Sequence, residues 1–311
     1  MLYVVVVMKN LKPYVTAMRL RTLPQSLAGV SLGLLLAVAD YEVDLWTAVF
    51  TLLTAVFLQI LSNTSNELGD FLKGTDRSAD RQGPAYTLTE GLISEKGYRT
   101  MVWSYAALSA ASGLAMVWFS FGTFFSYGAI ITLFMGVMAI SAAMRYTLGK
   151  NPYGYRGYGD LNVFIYFGIV SVLGSYFVAA HVIPNWYLIL PAVSVGCLST
   201  AVLNVNNIRD IESDSLTRRT IPVRIGERNA KIYHIFLVCA GWAAMTGYTC
   251  VRIFDWWHYL YVLTLPLFII HLVKVWRLSG RALDPQLPLL VTSTFLFSVL
   301  AGFGFAAFLV I

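Results

Sequence analysis

Residues Ser62–Pro84 read SNTSNELGDFLKGTDRSADRQGP, and they follow a run from Leu45 to Ser65 that carries no charge. A stretch of about 20 apolar residues is long enough to cross a bilayer as a helix. Such a helix needs one or two polar anchors at its end. This one ends instead in a cluster of Asn, Glu and Asp residues, followed by a basic loop. The cluster has to be read against the solvent around it.

That solvent is lipid. The 311 residues are 58% hydrophobic and 12% charged, with a mean hydropathy of +0.67, whereas soluble chains carry roughly a quarter charged residues. Nine apolar spans are predicted, near residues 22–39, 45–66, 100–118, 122–144, 161–180, 187–208, 232–251, 256–273 and 287–311. The ten-residue alternation of a lipid-facing barrel is absent, which leaves helices as the way to satisfy the backbone in lipid. The expected fold is all-α: a polytopic membrane protein forming one domain over residues 1–311.

The basic residues give an orientation. Of 22 Lys and Arg residues, all but Arg252 fall in the N-terminal segment or in the second, fourth, sixth and eighth loops. By the positive-inside rule the N-terminus and these loops are cytoplasmic and the C-terminus is outside. The net charge of +6 and pI near 9.2 therefore report topology, and nucleic acid is not an expected partner, because the charge is spread over five loops instead of one patch. Met1–Met8 is apolar but lacks a basic leader and a small-residue cleavage site, so a cleaved signal peptide is not expected. Cys197, Cys239 and Cys250 lie within or at the end of spans, show no paired spacing and read as small packing residues.

The opening cluster also repeats. Shifting the chain by 140 residues lays Asn66-Glu67-Leu68-Gly69-Asp70 on Asn206-Asn207-Ile208-Arg209-Asp210. Each copy ends an apolar span. Each is followed by a basic loop with a further Asp, Asp76 or Asp214, and then by a proline, Pro84 or Pro222. This suggests two four-helix pseudo-repeats, about residues 15–150 and 155–280, plus a ninth helix at 287–311, with a site between the halves.

On a helix, residues four apart share a face. Asn66 then stacks with Asp70, and Asp210 with Asp214 and, less closely, Asn206. Mg2+ takes oxygen ligands and characteristically uses one or two carboxylates with water and substrate phosphate. Two such clusters suit a diphosphate held between metal ions, with Asn66, Asp70, Asp76, Asp210 and Asp214 as candidate ligands and Glu67, Asn206 and Asn207 as further oxygens. A single Asp at an interface is more often a solvated helix end; two clusters in matching positions favour a site. Lys73, Arg145 and Arg209 are candidates to compensate a leaving diphosphate, although basic residues belong on this side in any case.

These residues resemble the UbiA superfamily of intramembrane prenyltransferases, which carries Asn-x-x-x-Asp after the second helix and Asp-x-x-x-Asp after the sixth. Here they read Asn66-x-x-x-Asp70 and Asp210-x-x-x-Asp214. Within the superfamily the chain is similar to the 1,4-dihydroxy-2-naphthoate polyprenyltransferase branch. That similarity is carried by RLRTLPQSLAG (19–29), GDFLKGTD with the later DRQGP, YRGYGDL (155–161) and NVNNIRDIESD (204–214). The first motif departs from the common Asn-Asp-x-x-Asp by carrying Glu67. The resemblance implies nine helices around a central cavity, Mg2+ and polyprenyl diphosphate at both motifs, and an aromatic acceptor, 1,4-dihydroxy-2-naphthoate, or alternatively 4-hydroxybenzoate. It implies that Arg145 and Tyr146 lie near the diphosphate and the reacting carbon, and it draws Arg156 and Asp160 into the candidate set. A secondary transporter is the rival from another class. Its repeats usually put ionisable residues at the bilayer midplane, and the predicted helix centres carry essentially none.

Overall fold

The computed structural model describes residues 11–74, 87–252 and 255–307. Among them, nine helices are long and apolar enough to cross a membrane. We number these α1 (Leu11–Asp40), α2 (Leu45–Lys73), α3 (Glu95–Phe121), α4 (Tyr127–Arg145), α5 (Gly159–Ala180), α6 (Trp186–Arg209), α7 (Glu227–Arg252), α8 (Trp256–Arg277) and α9 (Gly280–Ala306). Among the described residues there is no strand.

Local signals set the ends. The side chains of Asp44, Ser94 and Ser126 accept from the backbone N–H groups of Thr47, Gly97 and Ala129, capping α2, α3 and α4. These caps satisfy N–H groups that have no partner inside the helix. At the other end of α2, Gly74 adopts φ 72° and its N–H bonds back to Asp70 and Phe71, the left-handed stop that glycine makes without strain.

Several helices run past their apolar sequence. α2 continues to Lys73 because the polar residues beyond its apolar run, Glu67 and Asp70, are buried against partners, as are the polar residues just before them. Asn63 donates to the Met18 carbonyl and to Thr22 Oγ1, both at 2.9 Å, and Gln59 reaches Thr22 at 3.2 Å. Likewise α7 starts at Glu227 and α8 ends at Arg277.

The main core joins α1, α5, α6, α7, α8 and α9 through residues such as Leu32, Val172, Leu198, Met245, Phe268 and Phe297. Two smaller apolar clusters lie around the motif-bearing ends. One contains Leu61, Leu68, Tyr98 and Met101; the other contains Val205, Ile208, Ala230 and Val275. α2 packs along α3 as α6 packs along α7, α1 meets α5, and α9 lies against α1. Burial differs greatly among the helices. In Tyr127–Arg145 only Ala129 is buried, whereas α6 is enclosed along most of its length. Cys197 is buried as expected, but Cys239 and Cys250 are exposed on α7 and fill no internal gap.

α1 and α5 approach closely along small residues at four-residue spacing, Gly29 and Gly33 against Ser171 and Ser175. This is the way helices associate where lipid offers no hydrophobic drive between them. A Cβ on Gly33 would come within 2.1 Å of Ser175 Oγ and 2.3 Å of the Val172 carbonyl oxygen. Gly33→Leu is therefore expected to lower stability in detergent by about 1–3 kcal/mol, the usual effect of overpacking. Gly136→Leu on α4, where a Cβ meets nothing within 4 Å, should leave the thermal midpoint unchanged. Equal midpoints for the two variants would rule out a tight α1–α5 seam.

Candidate functional site

The two acidic motifs emerge from α2 and α6 with different local geometry. Asp70 lies inside the continuous helix α2. Asp210 breaks the helix, with φ −97° and ψ 13°, before a short helix at Ile211–Ser215. The i to i+4 bonding nevertheless continues through it: Asp210 N–H bonds to Asn206 at 3.1 Å and Asp214 N–H to Asp210 at 2.8 Å. Asp210 and Asp214 therefore keep their helical spacing, and they and Asp70 are buried.

A basic residue that the motif patterns do not contain joins them. Arg218 Nη2 donates to Asp70 Oδ1 at 2.5 Å, and its Nε lies 3.7 Å from Asp214 Oδ1. The guanidinium sits 4.7 Å above the Tyr155 ring, and the Tyr155 hydroxyl donates to the same Asp70 oxygen at 2.5 Å. Lys73 stands 4.6 Å from the centre of that ring. Burial works against the charge of Arg218, but Asp70 and Asp214 outweigh it and hold its pKa above the ordinary arginine value. The contact between the halves thus runs from Asp70 to Asp214, whereas the 140-residue offset pairs Asp70 with Asp210.

Asp210 has a different partner. Arg209 holds it with both arms of its guanidinium, at 2.9 and 2.6 Å, and also reaches Asn206 at 3.0 Å and Asp284 at 2.8 Å. Arg209, expected from the sequence as a diphosphate ligand, is instead buried in these contacts. Asn206 donates towards Asp210 at 3.5 Å, and Asn207 is buried in the same turn.

Glu67 is also committed elsewhere. Its carboxylate accepts from Arg19 at 3.2 Å, from Thr87 Oγ1 at 3.0 Å and from the Leu88 N–H at 3.1 Å. These three donors compensate a carboxylate that is 2% exposed, which a buried charge requires. Arg19 reaches it from a left-handed backbone, φ 53°. Glu67 therefore ties α1 and the segment before α3 to α2.

The remaining candidates divide. Asn66 accepts from Thr147 Oγ1 at 3.3 Å, just beyond the end of α4. Tyr146 lies beside it in sequence, edge-on to Tyr153 with ring centres 5.3 Å apart. Burial pushes its hydroxyl up to about 12, opposed by Arg218 and reinforced by Asp160, Asp70 and Asp214, so its ring is within electrostatic reach of the acids. Asp160 is buried and accepts from the Tyr233 hydroxyl at 3.3 Å. Arg145 is exposed and, among the described residues, has no ion-pair partner. Arg156 is exposed, with its carbonyl accepting from Arg224. Neither is brought to the carboxylates. Asp76 lies outside the described residues.

Arg218 and Tyr155 escaped sequence reasoning. The available signals were the four-residue step from Asp214 to Arg218 and the position of Tyr155 within YRGYGDL. Among the described residues, no group of three or more His, Cys, Asp or Glu side chains closes on one point. The donors come instead as one carboxylate from each half, Asp70 and Asp214, gathered around a cation, Arg218, with Asp210 held nearby in sequence by Arg209. This donor set fits a magnesium ion that shares its coordination with phosphate.

The comparisons bear on this geometry. The family model described as the UbiA prenyltransferase family matches residues 26–297. The 1,4-dihydroxy-2-naphthoate octaprenyltransferase of Escherichia coli (strain K12) is 38% identical over 274 residues, covering 88% of this chain and 86% of its own. The protein of the same name from Haemophilus influenzae is 35% identical over 275 residues, covering 86% and 87%. Among solved structures, the apo UbiA homolog from Aeropyrum pernix K1 superposes with a TM-score of 0.67 at 19% identity, covering 88% of this chain and 94% of that one. The UbiA homolog from Archaeoglobus fulgidus bound to GPP and Mg2+ gives a TM-score of 0.61 at 18% identity, covering 93% and 99%. At such identities the structural likeness carries the fold alone.

Proposed function

This chain belongs to the UbiA prenyltransferase family, and from that premise we propose that it transfers a polyprenyl group from polyprenyl diphosphate to 1,4-dihydroxy-2-naphthoate, with Mg2+, at the cytoplasmic face of the inner membrane. The observation that carries the reading is the meeting of Asp70 and Asp214 on one guanidinium. Acids from the ends of two distant helices converge there, beside Lys73 and Tyr155. The names of the curated relatives supply the acceptor. The one-sided distribution of Lys and Arg supports an N-terminus and site loops on the cytoplasmic side and a C-terminus outside. The packing of α2 on α3 and of α6 on α7 is in keeping with two pseudo-repeats.

When bound, Mg2+ supplies positive charge that stabilises a departing diphosphate. Asp70, Asp210 and Asp214, with Asn66, are the residues that would hold it. Lys73 and Arg218 offer donors to the diphosphate from the same face, Arg218 through a planar fork suited to phosphate. Tyr146 keeps its proton across the physiological range, because burial pushes its hydroxyl up to about 12. The apolar helices exclude water from an allylic cation that water would otherwise quench. A polyprenyl tail requires lipid, while its diphosphate requires the polar ends of α2 and α6.

The test is an assay of the purified protein with labelled polyprenyl diphosphate and a panel of acceptors that includes 1,4-dihydroxy-2-naphthoate and 4-hydroxybenzoate. Product is expected with the naphthoate, none in EDTA, and full return with Mg2+. Undiminished turnover in chelator would remove the metal, and preference for the benzoate would change the acceptor.

A further inference from the structure

Asp70 and Asp214, one acid from each motif, carry like charges, yet they share one guanidinium. Arg218 makes this possible. Its guanidinium bonds Asp70 at 2.5 Å and lies 3.7 Å from Asp214, while its side chain is 13% exposed. The backbone around it is fixed at three points. Arg218 N–H bonds to the Asp214 carbonyl at 2.7 Å, and Arg219 N–H to the Tyr155 carbonyl at 3.1 Å. Gly157 packs so closely that a Cβ there would lie 2.5 Å from the Arg219 carbonyl oxygen. The Tyr155 ring supports the guanidinium from one side, and its hydroxyl shares the same oxygen of Asp70.

Arginine stays protonated in proteins and presents only donors. A hard divalent ion needs the same carboxylate oxygens as bare acceptors. The two cations therefore cannot both hold Asp70 Oδ1 in the geometry seen here. Resting on the reading of these motifs as a magnesium–diphosphate site, we propose that Arg218 is a built-in counter-cation that occupies the carboxylates in the metal-free protein and is exchanged for Mg2+ on loading. Asp70 is given up in that exchange. The guanidinium keeps its support on Tyr155 and is left facing the anion that arrives with the metal. Arg218 is thus a positioning residue: it holds the halves together while the site is empty of metal and sets the metal concentration at which the site fills.

Competition is reciprocal, so removing the arginine must strengthen metal binding by the factor with which the arginine opposes it. The experiment uses the full chain in detergent, without prenyl donor, titrated with Mg2+ alone and read by thermal shift and calorimetry. Arg218→Gln should lower the metal-free thermal midpoint and tighten Mg2+ binding by about tenfold, within the usual range for coupled sites. Tyr155→Phe keeps the ring and removes the hydroxyl, so it should move Mg2+ binding the same way by a smaller factor. Arg218→Lys, which keeps the charge but not the fork, should fall between wild type and Arg218→Gln, and it serves if the glutamine variant does not fold. Unchanged or weaker Mg2+ binding in these variants, with a normal wild-type response, overturns the exchange and leaves the site reading intact. A wild type that responds to neither Mg2+ nor Mg2+ with inorganic diphosphate overturns both.

Discussion

Asp70→Asn is expected to lower prenyl transfer at saturating Mg2+ by at least about a hundredfold, the scale on which losing one preorganised electrostatic group acts. The substitution keeps the oxygen that accepts from Tyr155 and Arg218 and removes the charge that a hard cation requires. Elution from a sizing column should stay close to wild type, while the metal-free thermal midpoint should fall, because Arg218 loses its charged partner. Asp214→Asn should behave alike, because its side chain faces the same guanidinium. Joining the two should cost far less than the product of the single losses, as for residues that act as a unit. Near wild-type turnover in either single variant would return that acid to the role of a solvated helix end.

Arg209→Met should act on stability first. Arg209 and Asp210 are 3% and 8% exposed, and Arg209 fastens Asp210, Asn206 and Asp284 around the end of α6. Removing the guanidinium strands a buried carboxylate, a change that costs about 3–5 kcal/mol when one partner of a buried pair is deleted. Methionine fills much of the space but donates nothing. The denaturation midpoint in detergent should fall accordingly, and Arg209→Met with Asp210→Asn should recover most of it, since the stranded charge is then gone. That double variant is expected to fold without transferring prenyl groups, separating the structural use of Asp210 from its use at the site. A single Arg209→Met variant as stable as wild type would mean that Asp210 does not depend on Arg209.

Much of this was legible in the sequence because lipid simplifies the rules. Hydropathy located all nine helices. The ends were misjudged where hydropathy stops before the helix does. α2 runs on to Lys73 because Glu67 and Asp70 find partners on other segments, and no single-helix pattern contains that information. The acids were legible because Asp70 and Asp210 repeat at a fixed offset. Of the cations, Lys73 was legible and Arg218 was not. Arg218 is one of 21 Lys and Arg residues that the positive-inside rule assigns to one side, and that rule alone accounts for a basic residue in its loop. Only the fold distinguishes it from Arg145 and Arg156, which remain exposed, and from Arg209, which is spent on its neighbour. Glu67 misled for a related reason: a carboxylate inside a motif reads as a ligand until Thr87, Leu88 and Arg19 are found around it.

The contrast between α4, with its single buried residue, and α6, enclosed along most of its length, sets how each can drift over evolutionary time. A helix whose side chains are exposed or only half-buried is held along its outer face to an average polarity, so letters there can be exchanged among Leu, Ile, Phe, Val and Met with little consequence. A helix gripped on nearly every side is held to shape, because a single methylene is felt in a close-packed interior. Two stretches of the same chain, alike in apolar character, are thus written under different constraints, one read by solubility and the other by steric fit.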